Sequence, residues 1–174
     1  MGFAEERAMA EQALAAYDLE TAEERAFPPV AQRILRAREA AGLSHVDVAA
    51  RWGEPVSMYW DLEFHDDEAF TVVSVKELQR LAVVLGTSVA ALLFGEEPLE
   101  LSAAGYSEIV ARLRARLAEE KVSVEELSDR VGWELGPLLT DPDALGDLPI
   151  CAVRSVCQAA GIDWVAPLSM QRAG

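Results

Sequence analysis

The chain has 174 residues, 51% of them hydrophobic, and a formal net charge of −15 from 30 acidic and 15 basic side chains. That apolar share suffices for one domain or two small ones to bury a core, and it excludes a chain disordered throughout. No apolar run approaches the roughly 20 residues that span a bilayer, and no basic segment leads into an apolar one at the start, so a cytoplasmic protein without a membrane partner is expected.

Ala and Leu dominate, while β-branched and aromatic residues are sparse outside short stretches such as 71–75, which predicts an all-α fold. Residues 4–25 form a polar, alanine-rich helical pattern with a thin apolar face at Met9, Ala13 and Tyr17. Phe27-Pro28-Pro29 ends it, because each proline disfavours helix in the residue before it. Residues 1–28 are therefore expected to be an N-terminal helical arm.

From residue 29 to 95 the periodicity sharpens into a small helical domain. Val30, Ile34, Ala37 and Ala41 make one buried face, which Gly42 stops. Ser44 opens the next helix with Asp47 three residues on, a variant of the capping box. That helix turns Val48, Ala49 and Trp52 inward and ends at Gly53. Glu54-Pro55 opens a third, with Tyr59 and Leu62 as its apolar pair. An acidic loop, His65-Asp66-Asp67-Glu68, precedes a fourth helix carrying Val75, Leu78, Leu81, Ala82 and Leu85. A short fifth follows with Val89, Leu92 and Leu93. Residues 96–106 read as a linker.

Residues 107–174 repeat the plan in degenerate form. An offset of 79 sets Ser44 on Ser123, Arg51 on Arg130 and Gly53 on Gly132. An offset of 75 sets Leu78 on Val153, Leu81 on Val156, Gly86 on Gly161 and Leu93 on Leu168. The expected architecture is thus two tandem small helical domains plus the arm. Cys151 and Cys157, too far apart along a helix for an easy disulfide, read as small core residues. Of the four tryptophans, Trp52, Trp133 and Trp164 read as core fillers, and Trp60 does so only if the third helix is rotated.

Residues 30–94 resemble the Cro/C1-type helix-turn-helix domain, the Xre family. The likeness rests on Arg36-Ala37-Arg38-Glu39-Ala40-Ala41-Gly42-Leu43-Ser44, on Val48-Ala49-Ala50-Arg51-Trp52-Gly53, on Asp61-Leu62-Glu63, and on Leu78-Gln79-Arg80-Leu81-Ala82-Val83-Val84-Leu85-Gly86 leading to Leu92-Leu93. The resemblance implies a helix-turn-helix unit in the first half, to which the repeat adds a degenerate one in the second, and a third helix that lies in the major groove of DNA.

The residues of that third helix point elsewhere. With Tyr59 and Leu62 inward, Val56, Ser57, Met58, Trp60 and Asp61 are left outside. None is the Arg, Lys, Asn or Gln that usually reads bases, and the segment holds acids without a base. The wider charge agrees: residues 1–28 carry 2 basic and 7 acidic side chains, residues 29–95 carry 6 and 9, and residues 96–174 carry 7 and 14. No segment is basic, so a phosphate-rich partner meets a repulsive long-range field.

The sequence therefore predicts a non-catalytic regulatory or adaptor protein, antitoxin-like or regulator-like, that binds a protein with a basic surface. Val56, Met58, Trp60, Asp61 and Glu63 form the expected contact, with Asp66 and Asp67 adding to the attraction. The rival reading is a sequence-specific transcription regulator, with Arg33, Arg36, Arg38, His45 and Ser57 touching DNA; a homodimer is compatible with either. In the second copy, Gly136-Pro137 breaks the equivalent helix, so no DNA reader is expected there. His65-Asp66-Asp67-Glu68 reads as a solvated loop rather than a cation site. The chain shows no paired nucleophile and base and no phosphate loop, so neither enzyme activity nor a cofactor is expected.

Overall fold

A computed structural model describes residues 30–95, 105–162 and Trp164. The expected arm at 1–28, most of the linker, and Leu168 lie outside the described residues.

Helix α1, Val30–Ala41, buries Val30, Ala31, Ile34 and Arg38 along one stripe. Helix α2, His45–Trp52, starts at Ser44, whose hydroxyl accepts from the Asp47 amide while the Asp47 carboxylate accepts from the Ser44 amide. This reciprocal cap satisfies two amides that the first turn leaves unpaired. Gly53, at φ 86°, ends α2 and donates its N–H to the Ala49 carbonyl. Helix α3, Val56–Phe64, begins one residue after Pro55, where a missing amide costs nothing. Tyr59 and Leu62 are buried, as their spacing predicts.

A short helix α4, Glu68–Thr71, occupies the end of the expected acidic loop. Four residues are too few to show a helical period, and Ala69 alone buries itself there. Helix α5, Val75–Val84, carries a second capping box from Ser74 and Glu77, and α6, Val89–Phe94, is capped by Ser88. The second half comprises α7 (Tyr106–Glu120), α8 (Val124–Val131), α9 (Gly136–Thr140), a 3₁₀ helix (Pro142–Asp147) and α10 (Ile150–Ala160). The α8 ends match those of α2: Ser123 caps the start through the Glu126 amide, and Gly132 at φ 79° closes the end. Among the described residues there is no strand, only an isolated antiparallel bridge between Ser74 and Pro149. The protein is all-α.

In the first half α1 packs on α3 and α6, and α2 packs on α3 and α5. In the second, α7 packs on α9, α10 and the 3₁₀ helix. The halves meet where α5 lies on the 3₁₀ helix and α10 lies on α4. Their buried side chains form one continuous core that includes Leu78, Leu81, Leu145, Ile150 and Val153. Trp52 is buried and donates its indole N–H to the Glu77 carbonyl at 2.7 Å, tying α2 to α5. Trp60, Trp133 and Trp164 are only partly buried. Cys157 is buried and Cys151 is half-buried, and no disulfide joins them.

Candidate functional site

Helix α3 presents two different faces. Tyr59, Leu62 and Glu63 point into the protein. Val56, Ser57 and Asp61 are exposed, while Met58, Trp60 and Phe64 are half-buried at the margin. The Trp60 ring meets Phe64 at 5.7 Å on one side and the edge of His45 at 5.8 Å on the other. Large rings prefer such tilted and edge contacts, which hold Trp60 in place without covering it.

Glu63 is a correction to the expected contact set, because its side chain is only 4% exposed. Its carboxylate accepts a fork from Arg38, Nε at 2.6 Å and Nη2 at 3.0 Å. The Tyr59 hydroxyl donates to the same carboxylate at 2.6 Å, and His45 Nε2 lies 3.0 Å from its second oxygen. Arg38 also donates to the Leu43 carbonyl. Donors surround this buried carboxylate on both oxygens, so the group ties α1, α2 and α3 together instead of meeting a partner.

The electrostatics follow from that arrangement. Burial works against the Arg38 charge, yet the hydrogen bonds and charge of Glu63 outweigh it and raise its pKa. Burial, followed by the neighbouring Glu63 charge, pushes the Tyr59 hydroxyl far above its ordinary range, so it remains a proton donor.

The same network removes residues from the expected DNA-contact set. Arg38 is buried, and the His45 side chain is 12% exposed, not a solvated helix end. Arg33 reaches across to α6, where its guanidinium donates to the carbonyls of Leu92, at 2.6 Å, and Leu93. Burial lowers its pKa, opposed by the charge of Asp66. Only Arg36 and Ser57 of that set are exposed. Within the acidic segment Asp66 accepts from the Ala31 amide at 3.0 Å, so it caps α1.

Sequence reasoning missed the Glu63 network, although two spacings announce it. Arg38 stands four residues after Ile34 on the stripe begun by Val30, and Glu63 stands four after Tyr59. Each polar residue is thereby placed on a buried face.

Among the described residues no group of His, Cys, Asp or Glu side chains could hold a metal ion, and no helix is long and apolar enough to cross a membrane. No known protein family, characterised protein or solved structure matches the chain.

Proposed function

We propose that this chain is a non-catalytic regulatory or adaptor protein, resembling the Xre family of helix-turn-helix proteins, that recognises a protein through the outward face of α3. One observation carries the reading. The exposed positions Val56, Ser57 and Asp61 include no cation, and two of the three arginines of α1 are engaged inside the fold. A DNA duplex needs cations to displace its counterions, and this face offers an acid and aliphatic surface instead.

Val56, with the exposed margins of Met58 and Trp60, supplies the apolar contact, and Asp61 supplies the charge. Asp47 and Asp67 are exposed and add to the attraction for a basic surface, whereas Glu63 and Asp66 act within the fold. Val46, also on α2 and 64% exposed, is the sequence neighbour of His45, whose ring meets Trp60.

The test sets two assays side by side. In a mobility-shift titration at low salt with DNA from its own promoter, no tight binding is expected. In co-expression with the products of neighbouring genes, a stable complex is expected that Val56→Glu abolishes while the circular dichroism melt is unchanged. Tight, salt-sensitive DNA binding would overturn the reading in favour of a transcription regulator.

A further inference from the structure

Ser74 and Pro149 face each other in an antiparallel bridge, beside a hydrogen bond from the Val75 amide to the Leu148 carbonyl at 3.0 Å. Both residues are N-caps, Ser74 of α5 and Pro149 of α10. Their separation equals the offset of 75 that sets Leu78 on Val153, Leu81 on Val156 and Gly86 on Gly161. Those matched residues behave alike: the four apolar ones are fully buried, and the glycines sit at φ 67° and 68°. An antiparallel pair has a local two-fold axis through its midpoint. When the paired residues are equivalents, that axis relates the two units that contain them.

A two-fold axis makes a second demand. If α5 lies on the segment after α9, then α10 must lie on the segment after α3. Both contacts are present, α5 on the 3₁₀ helix Pro142–Asp147 and α10 on α4. A further contact joins the halves. Trp164, which the same offset sets on Val89 at the start of α6, meets Phe94 at the end of α6 with ring centroids 5.4 Å apart.

We infer that the chain is a dimer built into one polypeptide: its second half occupies, as a covalently attached mate, the self-complementary edge around Ser74 of the first. The occupant is fixed by side chains as well as backbone. The Lys76 stem lies over Gly146, so closely that a Cβ there would come within 2.8 Å of it, and Nζ reaches Asp147 at 2.8 Å. This edge is closed to a second copy. The halves then diverge where an outside partner would be met, since α9 is five residues with Pro137 in its first turn and α3 is nine residues with Val56 and Asp61 outward. The inference does not rest on the docking reading, because it concerns only how the halves pair.

The unmodified chain provides the test, since Lys76 and Lys121 are its only lysines. A zero-length carbodiimide reagent joins a lysine to a touching carboxylate as an amide. We expect a Lys76–Asp147 amide, found by peptide mass mapping, within a species whose light-scattering mass is 18.9 kDa across a wide concentration range. A second arm uses Ser74→Cys with Pro149→Cys in a Cys151→Ser background. Bridged Cα atoms lie about 4.5–5.5 Å apart, within disulfide reach, so mild oxidation should give one intrachain disulfide. Links found only in a species of twice the mass would show that the halves pair between chains and would overturn the inference. Absence of the Lys76–Asp147 amide from the monomer would overturn it as well.

Discussion

Arg38 and Glu63 form a two-pronged ion pair, 2.6 and 3.0 Å, between side chains that are 7% and 4% exposed. Such a pair is asymmetric in its energetics: the intact pair adds little over well-packed apolar groups, but removing one charge strands the other out of water. Glu63→Gln leaves the Arg38 guanidinium without its counter-charge and weakens the acceptor for Tyr59 and His45. Unfolding stability should fall by about 3 kcal/mol, read as a drop in the urea midpoint with the slope unchanged. A loss under about 1 kcal/mol would mean that water reaches Arg38.

Gly53 and Gly132 allow a separate comparison. Both close the helix after a serine-capped start, at φ 86° and 79°, and a Cβ at either position would meet nothing within 4 Å. The cost of Gly53→Ala and of Gly132→Ala is therefore that of the left-handed backbone alone, about 1 kcal/mol each. Thermal melts should place the two variants within error of one another. A marked inequality would show that one turn is already partly open in the native protein.

The legibility of this fold in its sequence depended on period and caps. Helices α1, α2, α3, α5 and α6 each had a stripe of apolar residues, and serine or glycine marked most of their ends. Helix α4 had neither, so it was hidden inside an acidic run. The candidate site was legible only in its outward half. Val56, Ser57 and Asp61 are exposed because Tyr59 and Leu62 fix the helix rotation. Glu63 was misplaced because charge suggests solvent, whereas its partner Arg38 lies 25 positions earlier and becomes visible only when α1 and α3 are packed. The pairing of the halves was equally hidden: an offset shows that two segments are alike, but not that they meet at Ser74 and Pro149.

The α7–α8 surface should respond to acid. The Glu120 carboxylate accepts from Arg116 at 2.6 Å and from Arg130 at 2.8 Å, and these bonds, that of Arg116 foremost, hold its pKa below the ordinary 4.5. A pKa depressed on folding contributes stability that is complete above the unfolded value and disappears as pH falls through the folded one. Glu120→Gln should therefore be less stable than the parent at neutral pH, and the gap should close as the solution is taken below about pH 4. Urea titrations of both proteins across that range measure the gap. The exposure of this surface makes the difference small, and a gap that widened in acid would contradict the assigned bonds.

Val56→Glu and Asp61→Lys separate the two contributions assigned to the α3 face. Val56 is 38% exposed and Asp61 is exposed, so neither change should move unfolding stability by more than about 0.5 kcal/mol. Trp60→Ala is a poorer probe, because Trp60 packs between His45 and Phe64 and its removal disturbs the fold as well as the surface. A buried apolar contact in a complex chiefly sets how slowly the partner leaves, whereas a rim charge chiefly sets how fast it arrives. Val56→Glu should thus accelerate dissociation from a basic partner, and its added negative charge should steepen the salt dependence of association. Asp61→Lys should slow association and flatten its dependence on ionic strength, because the attraction it reverses is screened within a Debye length of about 8 Å at physiological salt. Surface-binding kinetics at two salt concentrations distinguish the two effects, and equal behaviour of the variants would place the contact on another face of the protein.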